Sequence, residues 1–492
     1  MTDNISVLIV LLPLCSALPC LALTRIHRKL GIGVVMLACL GSFVLSCIQL
    51  GMVADGGTIH YPVGNYAVPY GIEFVTDSLN AVLLTAFSLI GFLTVLFAGN
   101  FANKKKPNLV AGVYAEIALL ITGILGMTAT GDVFNLYVFL EITSLSAYCL
   151  ISLGGSRGVV SAFRYMLVGT IAATFYLLGI GILYGSTGTL NMSDMSMILN
   201  EKGHEGAMLV ALCFLIPAFG IKMALFPFHG WQPSAYAHAE PGTRPLIAGV
   251  MGKVPALALF RFVFCIYGTD FTFVRIGLML LGIFSVFGML YGSLMAMGQN
   301  DIRKMLAYSS VAQIGYISLG FAIGTPVALA GAFLHMLGHA FMKGGLFFAA
   351  GAVRYKYGTN NLDNFGRIYK QMPVTCGLLV IASLSMIGIP PTAGFFSKWY
   401  LALGAAGQHE WIYLAVLVIS SLLNAVYFFK LIEKVFIRDS SGIPVRWKSE
   451  FLELPLTIIL PVAVCFIAIL GIGLCNVKII DLLMLTLEGV GI

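Results

Sequence analysis

The chain has 492 residues, of which 59% are hydrophobic and only 10% charged, and its mean hydropathy is +0.95. Soluble globular domains carry about 25% charged residues, so this composition excludes that class and predicts an integral membrane protein. The net charge of +7 comes from basic residues concentrated in particular loops, which indicates membrane topology and excludes a nucleic-acid partner.

The apolar stretches have the length of membrane helices. A helix needs about 20 apolar residues to cross the bilayer, whereas strands of a membrane barrel have about ten residues of alternating polarity. No stretch alternates, so the predicted fold class is all-α, a polytopic membrane protein of about 14 transmembrane helices. The predicted spans, numbered one to fourteen, are 5–24, 31–53, 76–98, 108–128, 132–153, 165–185, 206–226, 246–267, 274–297, 305–324, 327–350, 374–396, 411–432 and 455–475.

The ends of the chain and its loops predict an orientation. No basic residue precedes span one, so we expect this span to stay in the protein and not to be a cleaved signal. The loops after odd-numbered spans hold 20 of the 28 lysines and arginines. The other loops and the tail hold only Lys202, Arg275 and Lys478. The positive-inside rule therefore predicts odd loops in the cytoplasm and both termini external.

The sequence contains no motif typical of cofactor binding or of a catalytic nucleophile. The ten cysteines lie singly in apolar spans without a CxxC pair, which argues against iron-sulfur or haem c attachment. Phosphate loops, nucleophile elbows and dinucleotide fingerprints are also absent. We predict no cofactor, no metal and no catalytic site in this chain, while a place within a redox-driven enzyme complex stays open.

Two parts of the chain resemble each other at an offset of 170 residues. Residues 162–181 match 332–351 at five positions, and Gly188 falls on Gly358. The offset carries spans six and seven onto spans eleven and twelve, and an odd number of spans reverses the orientation. Spans seven and twelve are both interrupted by proline and glycine. Paired broken helices in inverted halves are the best sequence indication of a transport site near the midplane.

The chain is predicted to form one membrane domain, residues 1–492, because no linker or soluble domain interrupts the spans. Its expected parts are four. They are helices one to three (1–107), a first repeat of helices four to eight (108–268), a second repeat of helices nine to thirteen (269–435), and helix fourteen with the tail (436–492).

Ionisable residues inside the spans indicate function, because a charge at the bilayer centre costs about 2.5–3.5 kcal/mol on insertion scales. Glu141 lies near the middle of span five, and an isolated carboxylate there would protonate. We expect a cation to keep Glu141 charged, and Lys222 in the broken span seven is the candidate. Such a pair is a bistable proton switch, because separation lets the lysine release its proton. The alternative is that Glu141 lies at a helix end.

Span eight carries Lys253 and Arg261. Lys253 lies next to Pro255, about one and a half turns from the cytoplasmic end of the span. It is interpreted as a proton carrier, with snorkelling to the headgroups as the alternative. Arg261 lies deeper, and an ordinary structural ion pair is equally compatible with it, because a guanidinium does not deprotonate.

Span eleven carries His335, His339 and Lys343, which are spaced four residues apart and therefore share one helix face. Three interpretations are open: a proton-conducting file, satisfied core histidines, or a metal site. The metal site lacks a third soft ligand, since lysine is a poor one.

Three other polar residues have weaker signals. Glu116 in span four is expected to pair with a neighbouring helix or a partner subunit, or to conduct protons. His229 and His238, in the connection between spans seven and eight, are expected to face water or a subunit and to bind no metal.

Four segments, 222–242, 301–316, 335–347 and 388–399, together resemble the antiporter-like family. This family comprises the large proton-pumping subunits of respiratory complex I, the A and D subunits of Mrp-type antiporters and their counterparts in membrane-bound hydrogenases. The resemblance covers nearly the whole chain. It implies fourteen helices with two inverted five-helix repeats and broken helices seven and twelve.

The resemblance also implies site residues. Glu141 matches the family's helix-five glutamate, Lys222 its helix-seven lysine and Lys253 its helix-eight lysine. Lys398 matches the terminal helix-twelve residue, and the histidines of span eleven match the connecting file. The implied proton pathway consists of Glu141, Lys222, Lys253, His335, His339, Lys343 and Lys398. One complex I subunit type usually has glutamate at helix twelve, so Lys398 and the short tail favour an Mrp-type D subunit or the matching hydrogenase subunit.

The implied function is proton translocation in a multisubunit cation/proton antiporter of the Mrp type, which exchanges Na⁺ for H⁺. The alternative is ion pumping in a respiratory complex such as a membrane-bound hydrogenase or an NADH/quinone-type oxidoreductase. Implied partners are other membrane subunits, protons, sodium ions and the lipid bilayer of a prokaryotic cell membrane. Quinone oxidoreduction by this chain, a purely structural scaffold and a standalone solute transporter are the rival functions.

Overall fold

The computed structural model describes residues 4–55, 57–102, 107–202, 205–438 and 453–489. Five basic residues that the predicted topology counts lie outside the described residues: Lys104, Lys105, Lys106, Arg446 and Lys448. Across the described ranges the chain is almost entirely helical, and its strands form one two-stranded hairpin, Ile59–Pro62 with Glu73–Thr76.

Thirteen helices in the described part are long and apolar enough to cross a membrane. One further crossing is divided into two shorter helices, Pro373–Ile387 and Ala393–Gly407. The predicted all-α polytopic fold is therefore confirmed. The unbroken spans are Ile5–Ile26, Arg28–Val53, Ser78–Ala102, Pro107–Ala129, Val133–Ser152, Ser156–Thr187, Thr272–Met297, Ile302–Ile323, Pro326–Tyr357, Trp411–Phe436 and Leu456–Leu474.

The remaining helical elements are short or belong to the irregular spans seven and eight. They are Val63–Asn65, Met192–Lys202, Glu205–Met223, Phe228–Trp231, Gln232–His238, Arg244–Leu246, Ile247–Met251, Val254–Phe260, Arg261–Tyr267, Leu362–Asn364, Ile368–Lys370 and Asn476–Gly489.

Spans six and eleven have the same construction. Ser156–Thr187 and Pro326–Tyr357 each contain 32 residues, and their boundaries differ by the predicted offset. Each ends at a glycine in the left-handed region, Gly188 with φ 73° and Gly358 with φ 72°. Glycine adopts this conformation without a Cβ penalty, so the helix closes there and the chain turns away.

A second feature recurs at nearly the same offset, with 169 residues between the two aspartates and 170 between the two asparagines. Asp132 forms an isolated antiparallel bridge with Asn191, and Asp301 forms one with Asn361. In each case the aspartate also accepts a hydrogen bond as the N-cap of the following span. Each bridge therefore ties the start of one span to the connection that follows another, and both repeats use it.

The carboxylate of Asp301, which caps the start of span ten, predicts how the stability of the protein falls in acid. Burial raises the pKa of Asp301, but the hydrogen bonds and charge of Arg303 outweigh burial and hold the pKa below its usual range. The stabilisation is therefore fully present above the unfolded pKa of about 3.9 and is lost as pH falls through the lower folded pKa. We expect Asp301→Asn to weaken the acid-induced fall of the melting temperature. Melting curves of variant and wild type against pH test this, and parallel curves would contradict it.

Span seven is broken after Met223. Ala224 has φ 60°, in the left-handed region, and Pro227 has no backbone N–H to continue the helix. The N–H of Leu225 turns back to the carbonyl of Gly220 at 2.8 Å, which closes the first half. The break leaves the end of a half-helix, and with it Lys222, inside the bundle.

Span twelve is broken between Gly388 and Thr392, where Gly388 has φ 97° and two prolines follow. The second half runs on to Gly407, eleven residues beyond the predicted end of the span at residue 396. The two halves meet closely, because a Cβ on Gly394 would lie 1.8 Å from the carbonyl oxygen of Ser385. Glycine is therefore required where the halves cross.

This crossing gives a stability prediction. We expect Gly394→Ala to lower the free energy of unfolding by about 1–3 kcal/mol, the usual cost of overpacking. Gly377→Ala is the matched control, because a Cβ there meets nothing within 4 Å. Thermal unfolding of the purified complex measures both changes. Equal melting temperatures for the two variants would contradict the close crossing.

Span eight is assembled from three helical pieces. The segments Ile247–Met251 and Arg261–Tyr267 are π-helical, and Val254–Phe260 between them is α-helical. Pro255 follows the first break and removes one backbone donor. π-Helical turns concentrate at functional sites, because they leave carbonyl groups without their usual partner.

Span eleven forms the centre of the bundle. Its most apolar 18-residue window is 100% buried, and it packs against spans three, ten, twelve and fourteen and against the start of span eight. A helix that is enclosed all round can carry polar groups only if the neighbouring helices supply partners. The polar side chains of span eleven are therefore isolated from lipid.

The tail contains a helix that the span pattern did not predict, Asn476–Gly489. It packs against spans three and eleven, and its Thr486 hydroxyl accepts a hydrogen bond from the backbone N–H of Leu79 at 3.0 Å. This contact ties the tail to the core of the bundle.

Candidate functional site: a row of buried ionisable groups

Glu141 and Lys222 form the predicted pair. The Lys222 Nζ lies 3.4 Å from the Glu141 carboxylate and donates a shorter bond of 2.7 Å to the Ser144 hydroxyl. Lys222 is 3% exposed and Glu141 is 29% exposed. The ammonium is therefore enclosed, whereas the carboxylate reaches the surface of the bundle and can be approached from a neighbouring subunit.

Lys222 and Lys253 belong to adjoining helix breaks. Met223 ends the first half of span seven, and a Cβ on Gly252 would lie 3.7 Å from the Met223 carbonyl oxygen. The residues that follow Lys222 and precede Lys253 are thus in contact. The two irregular spans bring two lysines toward one region of the core.

Lys253 is 2% exposed and therefore does not snorkel. Its Nζ donates one hydrogen bond of 2.8 Å, to the carbonyl of Ala248 in the π-helical segment of its own span. An ammonium has three donors, so a single neutral acceptor compensates it poorly. No carboxylate pairs with it among the described residues.

The three polar residues of span eleven are all fully buried. The rings of His335 and His339 are nearly parallel, with centroids 5.8 Å apart. Lys343 donates to the carbonyl of Leu306 at 2.7 Å. The charge of Lys253 acts on all three residues, so they share one electrostatic environment.

The two histidines differ in their partners. His335 has both ring nitrogens engaged, Nδ1 with the Ser397 hydroxyl at 2.9 Å and Nε2 with the Gln313 amide oxygen at 2.8 Å. His339 has no partner at either nitrogen among the described residues. Buried ring nitrogens without a protein partner mark a position for ordered water.

Lys398 lies at the second helix break. Its Nζ donates to the carbonyls of Met386 and Ile387, both at 2.9 Å, which are the last carbonyls of the first half of span twelve. It also lies 4.7 Å from the ring centroid of Tyr316. A helix C-terminus carries partial negative charge, so this half-helix stabilises a cation without any carboxylate.

Arg261 is part of an ion pair and not of the row. Its guanidinium hydrogen-bonds the carboxylate of Asp77 and the amide oxygen of Asn80. Arg261 and Asn80 line a cavity of about 400 Å³, which His60 and Glu73 also line. The structural ion pair is thus the interpretation that the geometry favours for Arg261.

Glu116 and the two loop histidines take other positions. Glu116 is half-buried and interacts with the side chains of Ser146 and Cys149 of span five, which agrees with pairing to a neighbouring helix. The expectation that His229 faces water is wrong, because its ring is buried against Phe226. His238 is half-buried and bonds Ser161 and the carbonyl of Ser234.

Sequence reasoning missed the uncharged partners of the row. Gln313, Tyr316 and Ser397 contact its ionisable groups, and Asp77 pairs with Arg261. Gln313 carried a usable signal, because it is an uncharged polar residue within an apolar span. Asp77 carried little, since an aspartate before a helix is usually read as a cap.

The row consists of groups that can exchange protons, and all of them except Glu141 are buried inside the bundle. Its lysines have either one weak carboxylate partner or only neutral acceptors, so the neutral form is accessible to each. The row passes from span five through seven, eight and eleven to twelve. Each group in it has a side chain whose chemistry allows it to bind and release a proton.

Comparison with known proteins identifies the family of the chain. A family model described as "NADH:quinone oxidoreductase/Mrp antiporter, TM" matches residues 130–424. The chain is 43% identical over 490 residues to NADH-quinone oxidoreductase subunit N of Desulforudis audaxviator, covering 98% of each chain. It is 29% identical over 422 residues to the D subunit of the Na⁺/H⁺ antiporter of Bacillus subtilis, covering 86% of this chain and 84% of that one.

A solved structure agrees over nearly the full length. A chain of the membrane-bound sulfane sulfur reductase, an archaeal respiratory membrane complex, matches with a TM-score of 0.90 at 27% identity. The match covers 99% of this chain and 98% of the other. Two of the three assemblies in the predicted resemblance, the NADH-quinone oxidoreductase and the Mrp-type antiporter, thus occur among the relatives. The chain belongs to the NADH:quinone oxidoreductase/Mrp antiporter family of membrane subunits.

Proposed function

We propose that the chain is the proton-translocating subunit of a multisubunit cation/proton antiporter of the Mrp type, exchanging Na⁺ for H⁺. The observation that carries the proposal is the buried row of lysines, in which Lys222 alone has a carboxylate partner and Lys253 and Lys398 donate to carbonyls. Buried cations are costly, and a set of them in one core is explained by their function as proton carriers.

The proposed route follows the row. A proton enters at the Glu141–Lys222 pair, passes Lys253 and then the group of His335, His339 and Lys343, and leaves at Lys398. Separation of Lys222 from Glu141 makes the lysine release its proton, because an isolated buried ammonium is unfavourable. The partial exposure of Glu141 supports a partner subunit at this surface, which supplies the driving force.

The second candidate is an ion-pumping subunit of a respiratory complex. It is favoured by the 43% identity to an NADH-quinone oxidoreductase subunit and by the structural match to an archaeal respiratory complex. Both candidates use the same row in this chain and differ in the energy source, which lies in other subunits.

The proposed setting is a prokaryotic cell membrane with both termini external. The basic loops then lie in the cytoplasm, as the positive-inside rule requires. Within one membrane domain, residues 1–492, we assign 108–268 and 269–435 to the two inverted repeats. The recurrence of the aspartate-asparagine bridges within one residue of the repeat offset supports this division.

The test is proton transport by the whole complex in proteoliposomes. Lys222→Met is expected to reduce transport about tenfold or more, the scale on which a proton-transfer group contributes. Lys478→Met, at an exposed site on the tail helix, is the matched control and should transport normally. Wild-type transport by Lys222→Met would overturn the proposal.

The same vesicles separate the two candidates. An antiporter moves protons when a sodium gradient alone is imposed, whereas a respiratory pump requires an electron donor and acceptor. Proton movement that follows the sodium gradient without redox substrates supports the first candidate. Movement only during electron transfer supports the second.

A further inference from the structure

The ammonium of Lys398 has one more donor than its hydrogen bonds use. An ammonium carries three N–H groups, and Lys398 donates two of them, to the carbonyls of Met386 and Ile387 at 2.9 Å each. No carboxylate pairs with it among the described residues. The ammonium also lies over the ring of Tyr316, with Nζ 4.7 Å from the ring centroid. The aromatic ring is therefore the third partner of the ammonium.

The ring of Tyr316 distinguishes between the two protonation states of Lys398. The face of an aromatic ring is negative, so it attracts a cation, and the attraction is strongest where water is excluded. Both side chains are buried, Tyr316 being 0% and Lys398 6% exposed. A neutral amine carries no charge for the ring to attract. The ring thus favours the form of Lys398 that holds its proton.

A hydrogen-bonded cluster behind Tyr316 fixes the position of its ring. The Tyr316 hydroxyl accepts a hydrogen bond from the Asn424 amide at 3.3 Å and lies 3.3 Å from the Ser421 hydroxyl. Tyr427 donates to the Asn424 amide oxygen at 2.6 Å, and its hydroxyl lies 2.9 Å from that of Ser309. Asn424, Tyr427 and Ser309 are fully buried. A connected network of this kind restrains the ring more than packing alone does.

The first repeat supplies its lysine with a different kind of partner. Span five carries the Glu141 carboxylate, which lies 3.4 Å from the Lys222 Nζ. The offset between the two capping aspartates carries span five onto span ten and Glu141 onto Ser310, which has no charge. Span ten nevertheless provides a partner for Lys398, because Tyr316 lies on it. Corresponding spans therefore serve the two lysines, one with a carboxylate and the other with an aromatic ring.

We propose that Tyr316 is a positioning residue of the last station in the row: its ring face holds Lys398 in the proton-carrying form, as Glu141 does for Lys222. A phenol does not titrate near neutral pH, so Tyr316 acts on the proton of Lys398 without exchanging one itself. Its ring lies 5.5 Å, centroid to centroid, from that of His335, which precedes Lys398 in the row. This inference rests on the proposed function, because it assumes that Lys398 carries a proton of the row.

The first test is electronic and needs no transport. Tyr316→Phe is prepared in the whole complex with ordinary phenylalanine and with phenylalanine that carries one or three fluorine atoms. Fluorine withdraws electrons from the ring face and so weakens its attraction for a cation, while the size of the ring changes little. Nitrogen-15 spectra of lysine-labelled complex report the ammonium fraction of Lys398, whose signal is assigned by its loss in Lys398→Met.

The spectra are compared at the pH at which half of Lys398 is protonated in Tyr316→Phe. We expect the ammonium fraction of Lys398 to fall stepwise as fluorine atoms are added, because only the protonated form is attracted by the ring. A fraction that does not change with fluorination would overturn the proposal, since a role in packing alone does not depend on the electrons of the ring.

The second test is proton transport by the whole complex in proteoliposomes. Tyr316→Phe keeps the ring face and should keep most of the transport. Tyr316→Leu removes the ring and should lower transport about tenfold, the scale of a cation–π contact in a desolvated site. Phe321→Leu is the matched control, because Phe321 is equally buried in the same span and packs against Phe260 and Phe333. An equal loss of transport in the two leucine variants would overturn the proposal.

The fluorinated series keeps the test decisive if Tyr316→Leu does not assemble, because its rings have nearly the same shape. We expect transport to fall with the number of fluorine atoms, in the same order as the ammonium fraction. If Lys222→Met is inactive while the whole series transports at one rate, the inference about Tyr316 fails alone. If Lys222→Met transports normally, the proposed function fails, and the ammonium fraction still decides whether the ring acts on Lys398.

Discussion

Replacement of Lys398 by arginine should stop proton transport while leaving the protein folded. Lys398 donates to Met386 and Ile387 at the end of a half-helix, and arginine can satisfy the same two carbonyls with its positive charge. A guanidinium does not give up its proton near neutral pH, however, so the last station of the row is lost. We expect transport to fall about tenfold or more, with the melting temperature changed little.

Comparison of Lys398→Met with Lys398→Arg separates the effect of losing the positive charge from the effect of losing a group that can release its proton. Lys398→Met removes both the cation and the two hydrogen bonds, so it should lose transport and also destabilise the break in span twelve. Proton uptake by proteoliposomes and thermal unfolding of the same preparations measure the two properties. Transport by Lys398→Arg at the wild-type rate would show that Lys398 acts only as a fixed charge.

Replacement of Arg261 by methionine should destabilise the protein and leave proton transport nearly unchanged, which is the opposite of the result expected for Lys398→Arg. Asp77 would remain buried without its cation, and breaking a buried pair by removing one partner costs about 3–5 kcal/mol. The cavity beside the pair admits water, so we expect a smaller loss, on the order of 2–3 kcal/mol. Proton transport per assembled complex should stay close to wild type.

A double-mutant cycle identifies the origin of this loss. Arg261→Met combined with Asp77→Asn removes both charges and should recover part of the stability, because no unpaired carboxylate remains. Thermal unfolding of wild type, both single variants and the double variant completes the cycle. Additive losses would contradict a direct interaction, and a strong transport defect in Arg261→Met would return Arg261 to the proton pathway.

The features that could be predicted from sequence are those in which burying a charge or interrupting a helix has a large energetic cost. Lys222 and Glu141 were paired correctly from sequence, because a lysine as deeply placed as Lys222 is too costly to bury without a compensating partner. The repeat was predicted from weak identity, and the equal lengths of Ser156–Thr187 and Pro326–Tyr357 agree with it. The broken spans followed from proline and glycine, whose effects on the backbone do not depend on tertiary context.

The parts that escaped prediction depend on tertiary neighbours. The tail helix Asn476–Gly489 is too short to read as a span and is held by packing against the bundle. His229 was expected to face water or a subunit because it lies in the connection between spans seven and eight, but aromatic rings cover it. Gln313 carries no charge, so its cost in a span is small, and only the structure shows its contact with His335.

The enclosure of span eleven restricts how any transport cycle can work. The central part of this helix is completely buried, and neighbouring helices approach it closely at Gly331 and Gly338, so little free volume is left in which it can tilt or slide. The moving parts of the row must therefore be side-chain torsions, water molecules and protons, which rearrange without displacing the helix. The packed helices therefore stay fixed around the row. Under the proposed function, energy delivered by other subunits has to reach the row as a change in electric field or as a rearrangement of hydrogen bonds.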